Sequence, residues 1–276
     1  MSLLGTNTLL CGGTGTGKTH SIRTLVDAGI TPFVIFTEPG MRTLADVPAD
    51  KLHWMYIKPA TVSFTDLIDN AEKINQLSYK SLSNLNDMNK SKYQQFMAVL
   101  GAAHNFRCDR TGEVFGDVST WNTDRAIVLD SLSGLSRMAM DLVVGAKPMK
   151  SQGEWGVAMD NLERVLNKFT DDTRCHYVMI SHLSREKDEI TGSILNMPAT
   201  LGQKLAPKIP QGFDDVIMCK KNGKNFTWST TDTSTDLKNR NLGLGENFPP
   251  SFVPLIESWK AAGGVIEPTE RPEVAE

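Results

Sequence analysis

The chain of 276 residues is 40% hydrophobic and 22% charged, ample material for one large globular domain with or without a sizeable insertion. Its net charge of −3 gives no general affinity for nucleic acid, so any such site must be a local basic patch. No apolar run approaches the roughly 18 residues of a membrane span and no secretory leader is visible, so no membrane partner is expected.

In chain order, the first predicted element is a strand, Asn7–Cys11, with no domain expected ahead of it. A helix follows over 18–27, ended by Ala28-Gly29. The apolar run 33–36 lies between Pro32 and Glu38-Pro39-Gly40 and reads as a strand with a loop at its C-terminal end. A third strand is predicted over 52–57, halted by Pro59. From 64 to about 105 the pattern is mainly helical, interrupted by the polar stretch 78–90, and 107–124 reads as a loop or a small hairpin insertion. A buried strand at 126–129 leads into a helix over 133–144. A linker at 145–153 and an amphipathic helix at 154–169 follow, then another buried strand at 177–180. The polar stretch 183–212 shows no convincing periodicity. Runs 216–220 and 225–229 flank Asn222-Gly223, a hairpin signal.

Short buried strands alternating with helices imply parallel βαβ units. The expected fold class is α/β, a mainly parallel central sheet flanked by helices, with a C-terminal antiparallel hairpin. One domain is expected over 1–258, with an insertion at about 64–124, and a flexible acidic tail over 259–276. Cys11, Cys108, Cys175 and Cys219 lie far apart without a CxxC pair, which points to free thiols in a reducing, cytoplasmic compartment.

The sharpest motif is Gly12-Gly13-Thr14-Gly15-Thr16-Gly17-Lys18-Thr19, which matches GxxxxGK[ST] with a strand leading in and a helix leading out. Its glycines permit positive φ and let backbone N–H groups wrap a phosphate. Lys18 supplies a charge at the β/γ-phosphates of ATP, the Thr19 hydroxyl is the expected Mg²⁺ ligand, and His20 joins the nucleotide-contacting set. An acid to hold Mg²⁺ should end a buried strand beside the phosphate-loop strand, and Asp130 fits, with capping of the next helix as its structural alternative. Glu38 ends the second strand, at the edge where parallel sheets bind ligands, and can activate the attacking water unless it is only a turn residue.

These placements resemble the RecA-like P-loop ATPases, including hexameric replicative helicases of the DnaB type. Residues 33–39 look like the second core strand with its catalytic Glu, and 126–132 (AIVLDSL) look like the strand carrying the Mg²⁺ acid. Residues 178–185 (VMISHLSR) resemble the strand that ends in a phosphate-sensing Gln, with His182 in the Gln position; a structural histidine is the alternative. Lys238 and Arg240, in Leu237-Lys238-Asn239-Arg240-Asn241, are similar to the Lys-x-Arg element that ring-forming members insert into a neighbour's ATP site; a solvated basic turn is the alternative. The motif order also resembles that of small bacteriophage RecA-core proteins, a group of nucleotide-binding proteins and single-strand-annealing recombinases.

The resemblance implies ATP hydrolysis with Mg²⁺, homo-oligomers with sites between subunits, and single-stranded DNA bound by two loops. Those loops are 145–153, with Lys147 and Lys150, and 183–212, with Arg185, Lys187, Lys204 and Lys208. Trp155 is the one nearby aromatic, and Glu186, Asp188 and Glu189 dilute the second loop's charge. A ring helicase or translocase motor, a small-molecule kinase and a nucleotide-dependent assembly factor remain open alternatives.

Overall fold

A computed structural model describes residues 3–59, 63–83, 93–145, 147, 149–187, 192–232 and 234–270. Its centre is a sheet built from β1 (Asn7–Cys11), β2 (Thr31–Phe36), β3 (His53–Tyr56), β6 (Arg125–Asp130), β7 (His176–Ser181), β10 (Asp215–Asn222), β11 (Asn225–Ser229) and β12 (Lys238–Asn239). The strand order is β11-β10-β1-β7-β6-β2-β3, with β12 also on β10. Every pairing from β10 to β3 is parallel, and β11 and β12 join β10 antiparallel. Counting β1, β2, β6, β7 and β10 as core strands one to five gives the order 5-1-4-3-2, the RecA-like arrangement.

The central strands are buried along their whole length because helices cover both faces, which is why they read as unbroken apolar runs. Alternate residues divide between two cores, as the two-residue strand period requires. On one face Leu9, Phe33, Ile127 and Tyr177 pack with Leu135 of α6 (Leu132–Val144) and Leu162 of α7 (Gln152–Asp171). On the other, Leu10, Val34, Val128 and Val178 pack with Ile22, with Leu25 of α2 (Thr24–Asp27) and with Ile256 and Trp259 of α9 (Val253–Ala261). No helix among the described residues is long and apolar enough to cross a membrane. All four cysteines are free and buried.

Several expectations need correction. The helix read over 18–27 is two short ones, α1 (Lys18–Ser21) and α2. Ser21 and Thr24 donate their hydroxyls to the carbonyls of Lys18 and Ser21, both at 2.7 Å, a back-bonding that bends helices. The insertion holds α3 (Phe64–Gln76), α4 (Tyr79–Ser83) and α5 (Gln95–His104), followed by the hairpin β4 (Phe106–Arg107) and β5 (Val114–Gly116). Part of the polar interruption, 84–90, lies outside the described residues, as do 91 and 92. The stretch 183–212 is not irregular. It contains the hairpin of β8 (Leu183–Lys187) with β9 (Ile194–Pro198), then α8 (Gly202–Leu205). That hairpin lies off the main sheet, so its strands lack the apolar runs that mark the central ones.

The tail expected from 259 is also wrong as far as 270. Trp259 is 3% exposed and donates its indole N–H to Leu4 O at 2.8 Å. Beyond it, Asp124 N donates to Glu267 O and Glu267 N to Thr123 Oγ1. The acidic composition hid two apolar anchors, Trp259 and Ile266, both packed on the second core. Residues 271–276 lie outside the described residues.

Candidate nucleotide-binding site

Register brings the functional residues to one edge. Cys11 pairs with Ser181, Ile180 with Asp130, and Asp130 with Phe36, so the C-terminal ends of β1, β7, β6 and β2 lie level. The residues just beyond them are the phosphate loop, His182, Ser131 and Glu38. One expectation is corrected here: the strand of Asp130 is not beside β1, because β7 lies between them and carries His182 into the gap.

The phosphate loop leaves β1 through Gly12, where a Cβ would come 2.6 Å from Cys219 O, so the close passage over β10 admits only glycine. Gly15 and Gly17 take φ of 74° and 86°, the left-handed region that glycine enters without steric cost. Lys18, 6% exposed, donates its ammonium to Gly12 O and Gly13 O at 2.7 Å each. Burial lowers the Lys18 pKa, the Asp130 and Glu38 carboxylates oppose that shift, and the amine is held inside the cradle a phosphate would fill.

Thr19 donates its hydroxyl to Asp130 Oδ2 at 2.6 Å. Asp130 is 7% exposed, and burial pushes its carboxyl up to about 6 against the Thr19 hydrogen bond, with the charge of Glu38 adding to the rise. A buried carboxylate short of positive charge, already paired with the loop hydroxyl, is the donor set that Mg²⁺ takes when phosphates supply the remaining oxygens. The residues fit that ion. The helix cap is Ser131 rather than Asp130, since the Ser131 hydroxyl accepts from Gly134 N at 3.3 Å.

Ser131 also positions Glu38, donating its hydroxyl to Glu38 Oε2 at 2.9 Å, while His182 Nε2 lies 3.3 Å from the same oxygen. Thr37 locks this corner: its hydroxyl donates to Ser131 O and accepts from Ser131 N, both at 2.9 Å. Gly134 makes room, because a Cβ there would sit 2.3 Å from Thr37 Oγ1. Thr37, Ser131 and Gly134 were not singled out from the sequence as site residues. The adjacency of Thr37 to Glu38 and of Ser131 to Asp130 was visible, but their mutual contact spans 94 residues of chain.

Above these groups lies a cleft of about 1210 Å³. It is lined by the loop from Thr14 to His20 with Glu38, Asp130 and His182, and also by Arg137, Phe226, Asn247 and Pro249. Sequence reading missed the second group, which only the fold brings near the loop.

Other candidate residues lie elsewhere. Arg240 donates to Asp214 Oδ1 at 2.7 Å, and Lys238 Nζ to Gln211 O at 3.2 Å. Asp214 precedes β10 at the N-terminal edge of the sheet, so neither residue lines its own chain's cleft. Lys147 Nζ donates to Glu154 at 2.7 Å and is only 12% exposed, which leaves little of its charge for a phosphate. Lys150 lies 5.8 Å from the Trp155 ring centre, and Lys208 bonds Glu163 at 3.3 Å on the surface. Arg185 and Lys187 are exposed two residues apart on β8, immediately after His182, and Lys204 is exposed on α8. Asp188 and Glu189 lie outside the described residues.

Comparison with known proteins identifies the family. No curated protein matches the chain. Solved structures with a similar course include a prototypical ATPase from the type III secretion system of pathogenic bacteria (14% identity, TM-score 0.42). That match covers 79% of this chain but 53% of the other, so the chain spans about half its length. The flagellar accessory protein FlaH from Methanocaldococcus jannaschii is also similar (10% identity, TM-score 0.35, 82% and 77% of the two chains). So is the RadB recombinase (14% identity, TM-score 0.35, 84% of each chain). A family model described as an AAA domain matches residues 5–241, which contain the phosphate loop, Glu38, Asp130 and His182. The chain therefore belongs to the AAA-domain family, with a phosphate loop and the strand order of the RecA-like fold.

Proposed function

We propose that the protein binds and hydrolyses ATP with Mg²⁺ and assembles as a homo-oligomer on single-stranded DNA, in recombination or annealing of the bacteriophage type. The observation carrying the hydrolytic part is the convergence of Lys18, Asp130 and Glu38 on one sheet edge, with the Thr19 hydroxyl on Asp130 and the Ser131 hydroxyl on Glu38. Loop N–H groups and Lys18 bind the β/γ-phosphates. Thr19 and Asp130 hold Mg²⁺, which when bound neutralises phosphate oxygens. Glu38, oriented by Ser131, accepts a proton from the attacking water, and His182, 3.3 Å from Glu38, would donate to the terminal phosphate.

The oligomeric part rests on Arg240 lying at the sheet edge opposite its own cleft, available to a neighbour's site. The DNA part rests on Arg185 and Lys187, exposed on the hairpin that begins one residue after His182, so that a phosphate backbone there sits one strand from the hydrolytic site.

The test is ATP turnover with and without single-stranded DNA, with K18A as control, across a salt series. The reading expects turnover that K18A abolishes, DNA stimulation that weakens steeply with salt, and a gel shift at low salt. Turnover without stimulation or shift overturns the DNA part, and unwinding of a forked duplex favours a helicase motor.

A further inference from the structure

Phe226, Asn247, Pro249 and Pro250 line the same cleft as Glu38 and have no assigned role. Phe226, near the tip of the β10–β11 hairpin, is 39% exposed beside the phosphate loop. Its ring carbon Cδ1 is 3.2 Å from where a Cβ on Gly17 would stand. The ring therefore lies against the end of the phosphate loop, in the cleft that His20 also lines. Lys221 pairs with Phe226 across the hairpin, its ammonium 5.4 Å from the ring centre.

Lining the same cleft is the turn of Asn247, Pro249 and Pro250, beyond the family-matched segment. Trp228 and Phe248 exchange two backbone hydrogen bonds, at 2.8 and 2.9 Å, so hairpin and turn form one unit. Trp228 is fully buried and packs edge-on to Phe252, while Phe252 N donates to Thr24 Oγ1 at 2.9 Å and ties the turn to α2. Asn247 holds φ of 61°, a left-handed conformation that asparagine tolerates better than most residues.

We propose that Phe226 and the Asn247–Pro250 turn form the nucleobase slot of the ATP site, with the purine stacked on the Phe226 ring. This inference rests on the nucleotide-site reading above and adds the base-binding half to it. An exposed aromatic ring that shares its cleft with two prolines, on a hairpin tied to the turn through the buried Trp228, suits a flat heterocycle, because stacking needs a rigid platform.

The test measures equilibrium binding of two probes, ATP and inorganic tripolyphosphate, to the native chain and to F226A, F226W and K18A. F226A is expected to weaken ATP roughly 5- to 100-fold and leave tripolyphosphate unchanged, as loss of one base–aromatic stack requires. F226W is expected to restore ATP binding. Retained tripolyphosphate binding also shows that the variant is folded. Equal loss of both probes in F226A would mean that the ring only props the loop, and undiminished ATP binding would mean that the base lies elsewhere; either overturns the slot. Loss of both probes in K18A is the expected control. Undiminished ATP binding in K18A would overturn the nucleotide-site reading itself.

Discussion

Replacing Glu38 with Gln isolates the proton-accepting step. The Gln carbonyl oxygen can accept the Ser131 hydroxyl just as Oε2 does at 2.9 Å, so the side chain keeps its place. What disappears is the ability to take a proton and the negative charge that helps raise the Asp130 pKa to about 6. A positioned general base contributes about 10²–10⁴-fold, or about 3–5 kcal/mol of barrier. Removing a like charge from beside Asp130 favours its ionised form, so Mg²⁺–ATP binding has no electrostatic reason to weaken. The expected outcome for E38Q is a kcat at least about 100-fold lower with an ATP Kd within about threefold of native. Single-turnover hydrolysis and a fluorescent-nucleotide titration measure the two quantities. A kcat within about fivefold of native would refute Glu38 as the base, since no general-base contribution is that small.

Gly134→Ala forces a methyl group to within 2.3 Å of Thr37 Oγ1 unless the corner moves; overpacking of this kind costs about 1–3 kcal/mol, a Tm loss of several degrees by thermal melting, and kcat should fall because Glu38 adjoins Thr37. His176 is fully buried and burial holds its pKa down at about 4. It stays neutral in the fold while the unfolded chain takes up a proton below about 6.5, so its contribution is complete above that pH and is lost as pH falls towards 4. Urea melts should show about 3 kcal/mol of stability lost through that window, and a flatter slope in H176N. R240A removes an exposed ion pair worth about 0–1 kcal/mol, so Tm should hold while turnover falls by roughly 10³. Mixing R240A with K18A should restore activity, because each supplies what the other lacks; no restoration in a confirmed mixed oligomer rules out delivery in trans.

Local chemistry made part of this protein legible from sequence alone. The phosphate loop is contiguous: its glycines and Lys18-Thr19 lie within eight positions between a strand and a helix, and nothing distant is needed to recognise them. Glu38 and Asp130 were readable for a related reason, since Asp130 ends one buried strand, Glu38 lies just beyond the end of another, and parallel sheets bind ligands at that edge. The tertiary structure alone decided what these residues touch. It set β7 between β1 and β6, paired Ser131 with Glu38, and closed the corner with Thr37 and Gly134. It also brought Phe226 and Pro249 to the loop from more than 200 residues along the chain, and folded the acidic end back onto the body through Trp259. Such contacts depend on sheet order and register. Both are settled by burial of whole faces rather than by any local pattern, so they carry no signature within a window of sequence.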